Sequence, residues 1–415
     1  MTVRLVVEIA AQTVTATGWD GGLWDTATWS APAEWADVSC DVEGITVAGG
    51  RTGPTDRFRS AASSVRLDNR TGKYNSWSDA TPWAPPGTRH LGAGNGVRVG
   101  LDVTGKPRRY LHTGTASTWH HRRDDPNRWV DIGADDVLAT LTLANLPEQA
   151  AQGAGETAGP RLGRILTTNG LGSIVTRFDA GVVPLQATTL AAPAGTLADL
   201  TADSDGGWLW VDGAGALVYY QGDRDTTDPR WLTRVLTFAD TDTDGDVCWS
   251  VVELDDDNAA VFNHADISRA GGSVRYADDA ASQARYGVRA FPQRHDLVHT
   301  DDTWSQTLAN KIVARSATGG ARPARVRVTT LDDAEVFALA SLLWHDRVRV
   351  VVHDVGDVFA AEAFIDSYSW GITPLGVDRE CLVSLDLTLS PAVSFVTGAR
   401  WDTDSWDGAS TVWGY

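Results

Sequence analysis

Residues 381–389 read CLVSLDLTL, and their periodicity decides the fold. Cys381, Val383, Leu385, Leu387 and Leu389 are apolar, whereas the positions between them are mostly polar. Side chains on a strand alternate faces with a period of two, so this stretch predicts a strand with one buried and one wet face. A helix would need apolar residues at three- and four-residue spacing, which the stretch lacks. Working backwards, Arg325-Val326-Arg327-Val328 repeats the alternation, and a helix near 331–343 follows it. A further helix is predicted over 303–316, where Trp304, Leu308 and Ile312 recur at i, i+4 and i+8 and Gly319-Gly320 supplies a stop.

The first third of the chain also reads as short strands between turns. Val38, Cys40 and Val42 alternate; Ser64–Leu67, Val97–Leu101, Arg109–His112 and Trp129–Ile132 follow, separated by Gly- and Pro-rich connections. With no helical pattern between them, such strands predict a barrel or sandwich. The small, polar stretch EQAAQGAGETAG (148–159) reads as a boundary. Beyond it, Pro160 suits a first helical turn, Leu162, Ile165 and Leu166 mark one face, and Asn169-Gly170 is a stop. A second short helix starts near Thr196, with Leu197 and Leu200 inward. WLWVDGAGALVYY (208–220) is two apolar runs around a glycine-rich turn, which is hairpin chemistry. The fold class expected is mainly β with α+β elements, organised as two β-barrel-like domains and a small α/β module. The boundaries expected are an N-terminal strand and ribbon over 1–37, a first barrel over 38–147, the module over 148–245, a second barrel with helices over 246–396 and a tail over 397–415.

The 415 residues carry 35 basic and 54 acidic side chains, a formal charge of −19, with no clustering of arginines into a stripe. Tight nucleic-acid binding needs cations to displace phosphate counterions, so that class is disfavoured. The three cysteines, Cys40, Cys248 and Cys381, are far apart and form no CxxC pair; they read as buried thiols without a zinc or disulfide role. Residues 1–14 (MTVRLVVEIAAQTV) contain an apolar run interrupted by Glu8, too broken for a signal peptide or a membrane span, so no membrane insertion is expected.

Candidate chemistry is sparse. Asp240, Asp242, Asp244 and Gly245 match the opening of an EF-hand loop, but its twelfth position is Val251 where a bidentate carboxylate is needed, and the flanks read as strands. A solvated acidic turn is the reading there. Histidines occur as His120-His121, His295-Asp296, His345-Asp346 and His353-Asp354, without HExxH spacing, and no GxSxG elbow or phosphate-binding loop exists. Pairs such as Trp19-Asp20, Trp24-Asp25, Trp401-Asp402 and Trp406-Asp407 place carboxylates beside aromatic platforms as glycosidases do, but in segments too irregular to hold a catalytic pair rigidly. No catalytic residue, metal or cofactor is assigned.

Tryptophan is over-used: 18 of them outnumber 8 tyrosines and 9 phenylalanines. WDTATW (24–29) near one end is echoed by WDTDSW (401–406) near the other. Five-residue spacing fits neither helix nor strand and reads as an irregular ribbon. Covering one indole is worth about 4–6 kcal/mol gross. Trp19, Trp24, Trp29, Trp35, Trp401, Trp406, Trp413 and Tyr415 are therefore interface candidates. Either the ends lie back on their own barrels as lids, or at least one docks on another subunit or a neighbouring protein.

Leu67-Asp68-Asn69-Arg70-Thr71-Gly72-Lys73-Tyr74, then Pro86-Gly87 and Gly96-Val97-Arg98-Val99, resembles the first barrel of minor tail proteins from long-tailed phages of actinobacteria. Val261-Phe262-Asn263-His264-Ala265, then Asp279, Ser282 and Arg285-Tyr286-Gly287-Val288-Arg289, the Trp304 helix and Pro323-Ala324-Arg325-Val326, is similar to the later half of phage tail hub proteins. The resemblance covers most of the chain and brings no catalytic residues. It implies a virion protein at the tail tip, assembled in the host cytoplasm. It implies a homotrimer whose three chains present six related barrels, linking a hexameric distal tail or tail tube protein to other minor tail proteins or a threefold central fibre, with DNA as passing cargo. Acidic side chains facing the lumen would keep that cargo from sticking. The rival readings are a carbohydrate-binding tail component that stacks host cell-wall sugars on exposed tryptophans, and an enzyme acting on that wall.

Overall fold

In a computed structural model, the chain is described for residues 3–11, 34–53, 56–77, 91–124, 126–144, 150–189, 192–224, 227–241, 246–256, 261–375 and 380–392. The first strands are β1 (Val3–Ala11), β2 (Glu34–Asp37), β3 (Val42–Gly50), β4 (Arg59–Asp68), β5 (Gly96–Val103), β6 (Arg109–Asp124) and β7 (Asn127–Asp135). The short helix α1 (Val137–Leu143) leads to a module of α2 (Ala158–Thr168), β8 (Thr176–Phe178), α3 (Ala194–Asp205), β9 (Trp208–Val211) and β10 (Leu217–Tyr220). After α4 (Pro229–Leu232) come β11 (Leu236–Ala239), β12 (Val247–Cys248) and β13 (Val251–Asp255). A second module follows, built of β14 (His264–Arg269), β15 (Arg275–Asp278), α5 (Ala280–Tyr286), β16 (Arg294–Leu297) and α6 (Asp302–Ser316). The chain returns through β17 (Arg322–Thr330), α7 (Asp333–Leu339), β18 (Arg347–Asp354), β19 (Asp357–Leu375) and β20 (Glu380–Pro391).

Strand pairing closes two rings. The first runs β19-β3-β4-β7-β6-β5-β1-β20, and β20 pairs back onto β19. The second runs β11-β18-β19-β20-β17-β13; β13 continues from β12, which pairs with β11 and so completes the circuit. Among the described residues β12 and β13 each pair on one side, so the second wall closes through the chain between them, whereas the first closes by strand pairing throughout. The two rings share β19 and β20. The 19-residue β19 pairs with β18 through residues 357–364 and with β3 through residues 367–372, while β20 lies along its other edge from Ala363 to Leu375. The first ring therefore takes in β1 and parts of β19 and β20 besides the strands expected over 38–147; such remote partners leave no mark on local periodicity.

The alternation that opened the sequence reading is the wall of this core. Cys381, Val383, Leu385, Leu387 and Leu389 are all buried, whereas Asp386 faces out to Arg325 and Arg327. One apolar cluster runs through both rings, from Leu5, Val65 and Val99 to Phe238, Val348 and Leu385. The modules have separate, smaller cores: Leu141, Leu162, Ile165 and Tyr219 in the first, Ile267, Phe291, Leu308 and Val313 in the second.

Most predicted elements stand where expected, including the 208–220 hairpin, which pairs antiparallel from Leu217↔Val211 to Tyr220↔Trp208. Two expectations need correction. Val38, Cys40 and Val42 do not alternate on a strand: Ser39–Asp41 is a 3-10 turn, stabilised because Ser39 donates its N–H to Asp37 Oδ1 (2.9 Å) and its hydroxyl oxygen accepts from Val7 N–H (2.8 Å). On that turn Cys40 is exposed and Cys248 is half-buried, so of the three cysteines Cys381 alone is a buried thiol.

Candidate functional site

Where the rings fuse, β19 carries a bulge. Its register with β20 shifts between Ile365 and Ser367, which leaves Asp366 opposite no partner. Bulges re-aim side chains, and here Asp366 turns inward to Arg51. Arg51 Nε donates to Asp366 Oδ1 at 2.8 Å, Nη2 lies 2.6 Å from the same oxygen, and Arg51 N–H donates to Asp366 O at 2.9 Å. Gly50, just before it, has φ +120° and a Cβ there would meet Asp366 O at 2.4 Å, so only glycine lets β3 approach the bulge this closely.

Both side chains of this ion pair are 1% exposed. Burial pushes the Asp366 carboxyl up, opposed by the Arg51 guanidinium. Arg51 Nη2 also donates to His345 Nδ1 (3.1 Å), so that ring accepts and is neutral. Burial, helped by Arg51 and Arg315, holds His345 well below the ordinary histidine range. His345 itself has φ 64°, its N–H donates to Ile365 O, and its ring stacks on Phe364 at 4.2 Å with Trp208 and Trp231 beside it. Arg51 Nη1 is buried and has no hydrogen-bond partner among the described residues.

Arg51 and His345 form part of the lining of a cleft of about 400 Å³ between the ring junction and both modules. Strand β9 supplies Trp208 and Leu209, α3 supplies Asp199 and Asp203, and α6 supplies Leu308, Lys311, Ile312 and Arg315. Arg57 spans the opening, donating through Nε to Asp203 Oδ2 (3.0 Å) and through Nη1 to Asp199 Oδ2 (3.2 Å), while Arg294 Nη1 donates to Asp203 Oδ1 (2.9 Å). Burial pushes Asp199 up to about 6, opposed by Arg57 and reinforced by the neighbouring Asp203. α3 also ties the modules together: Ser204 Oγ accepts from Val298 N–H (2.8 Å), and Ser204 O from Trp304 Nε1 (3.0 Å).

Of the aromatic interface candidates, Trp35 falls within the described residues. It sits half-buried on β2 opposite Ala10, with the Arg98 guanidinium 3.7 Å from its ring centroid. Trp19, Trp24, Trp29, Trp401, Trp406, Trp413 and Tyr415 lie outside the described residues. So do Asp242, Thr243, Asp244 and Gly245 of the acidic turn; Asp240 beside them accepts from His353, Nδ1 to Oδ1 at 2.6 Å. The histidines serve separate places: His121 contacts Ser76 Oγ (3.3 Å) and Trp77, and His295 Nδ1 contacts Ser268 Oγ (2.9 Å). Among the described residues, no group of three or more His, Cys, Asp or Glu is placed to hold a metal, and no helix is long and apolar enough to cross a membrane.

The two motifs behind the family resemblance both prove to be turns wired by a buried asparagine. Asn69 Oδ1 accepts from Tyr74 N–H (3.0 Å), its Nδ2 donates to Asn75 Oδ1 (2.8 Å), and Tyr74 in turn donates to Asp41 Oδ2 (2.5 Å). Asn263, fully buried, donates to Gly287 O (2.8 Å) and accepts from Arg289 N–H (2.8 Å).

No known family profile matches the chain and no characterised protein matches it by sequence. Solved structures do. A tail protein from Neisseria meningitidis superposes with a TM-score of 0.58 at 14% identity, covering 93% of this chain and 96% of that one. A 43 kDa tail protein of prophage MuSo2 from Shewanella oneidensis gives 0.56 at 13% identity, over 93% and 98%. The fold is that of these phage tail proteins. The fit spans nearly the whole of both chains, so the fused rings and both modules belong to one shared architecture.

Proposed function

We propose that this protein is a structural, non-enzymatic subunit of a phage tail tip: a trimeric hub ring between a hexameric tail tube or distal tail protein and a threefold tip or central fibre. The observation that carries the reading is two closed rings in one chain, fused along β19 and β20 in a fold shared end to end with phage tail proteins. Three such chains offer six closed walls, which is what a sixfold-to-threefold adaptor requires. Closed walls also suit a channel lining, because they expose little strand edge to passing cargo. The formal charge of −19 favours release of DNA over retention. The aromatic chain ends are covered by protein in this reading, and do not grip a small molecule.

Mass photometry and class-averaged electron microscopy of the purified protein test the proposal. The expected result is a trimer with six density lobes around a pore. A stable monomer at tens of micromolar overturns it.

A further inference from the structure

Each ring carries one hairpin that runs on past its neighbours in the wall. In the first ring β6 leaves β5 at Thr115 and β7 joins β4 only from Trp129, so the β6–β7 hairpin projects as an arm. Trp119 Nε1 holds its base by donating to Tyr74 O (3.1 Å). In the second ring β18 leaves β11 at Val350 and β19 joins β20 only from Ala363, so the β18–β19 hairpin projects as a tip. Its base is held where His353 N–H donates to Asp240 Oδ2 (2.9 Å).

Both hairpins set like charges face to face. Arg123 stands directly opposite Arg128 on the arm, and Asp354 directly opposite Asp357 on the tip. None of these four side chains has an ion-pair partner among the described residues. Like charges directly opposite destabilise a strand pair, so each hairpin holds an electrostatic cost that opposite charge from outside would remove. Asp124 does not remove it on the arm, because strand alternation puts it on the other face with Arg122. An exposed apolar side chain stands beside each pair: Trp77, 69% exposed and 4.2 Å from the ring of His121, and Val355, fully exposed between the two aspartates.

The two hairpins do not meet within one chain. Gly50 pairs with Ser367 of β19 and with Arg59 at the start of β4, whereas Asp68 at the end of β4 pairs with Trp129. The tip therefore lies at one end of the sheet and the arm beyond the other. A second copy of the chain brings each hairpin the opposite charge it lacks. We propose that the arm of one copy, through Trp77, Arg123 and Arg128, receives the tip of the next copy, through Asp354, Val355 and Asp357, so that first and second rings meet from subunit to subunit. Such a contact joins two different surfaces head to tail, which is the arrangement that closes a ring of three. The inference rests on the trimeric reading and adds the side chains that orient its subunits, since complementary charge fixes register more than affinity.

Charge reversal tests it, read by sedimentation velocity at low salt, where surface charge is least screened. Arg123→Asp with Arg128→Asp, and separately Asp354→Arg with Asp357→Arg, should each weaken association at least about tenfold through like-charge juxtaposition, with the melting temperature unchanged. The chain carrying all four reversals should recover the native assembly, because both sides have changed sign. Should a reversal unsettle its hairpin, Asn127→Cys with Val355→Cys in a Cys40→Ser background gives an independent reading: oxidation should link subunits, and neither cysteine alone should. The proposal falls if the native trimer survives either reversal, if the chain with all four reversals fails to reassemble, or if reversing the arm changes only the retention of duplex DNA, which would make phosphate its partner. A native chain that is monomeric overturns the hub reading itself; a trimer indifferent to the reversals overturns this contact alone.

Discussion

The fused rings and the two inserted modules solve burial in opposite ways. The rings share one continuous apolar cluster built from alternating strand positions, and most of their strands are paired with neighbours on both sides. The modules have small apolar centres and lean on buried polar groups. Arg161, 1% exposed, donates to Glu156 Oε2, Thr188 Oγ1, Gly153 O and Gln186 O; Asp205, fully buried, accepts from Tyr219 Oη and from Val182 and Val183 N–H. Apolar packing tolerates adjustment, whereas a polar network fails when one member goes. The rings should therefore set global stability and the modules should open separately.

The sharpest way to break that contrast is Leu385→Ala. Leu385 is buried between Val328 and Trp370 on the strand common to both rings, and its truncation should cost about 4 kcal/mol. Urea unfolding should show the loss in both rings at once; a loss confined to one would refute their fusion. Arg161→Met should cost about 3 kcal/mol by orphaning buried acceptors. Hydrogen exchange should rise across residues 150–189 while β4, β5 and β20 stay protected.

Acid gives a third comparison. Burial lowers His112, on β6 of the rings, and His299, in the second module, each to about 4. Each folded value lies below the unfolded one near 6.5, so both contribute stability that is intact above pH 6.5 and lost as pH falls towards 4, about 3 kcal/mol each at pH 4. His299→Gln should flatten the acid dependence of exchange in the module alone; His112→Gln should flatten that of global unfolding. The smallest effect concerns the seam. The hairpin turn between β9 and β10 rests on β6, with Thr113 Oγ1 donating to Gly213 O (2.9 Å), and a Cβ on Gly213 would meet Tyr110 O at 2.0 Å. Gly213→Ala should cost about 2 kcal/mol, read as increased proteolysis between module and rings at unchanged strand protection.

Much of the frame was legible because period-two and period-3.6 patterns are local. The β20 alternation, the 208–220 hairpin and the α2, α3 and α6 faces needed no tertiary information. The fusion was not legible, since it depends on Arg51 meeting Asp366 across 315 residues and on a bulge that no local signal marks. His345-Asp346 was visible as a dipeptide but not as part of a cleft, whose lining comes from segments scattered between Arg51 and Ala392. Cys40 misled because a serine side chain captured a strand N–H and turned an alternating run into a 3-10 turn.

A single 19-residue strand belonging to both walls has a mechanical consequence. Tension or compression entering one barrel passes to the other through covalent bonds, not through a sliding contact. Under load the pair must yield together or not at all.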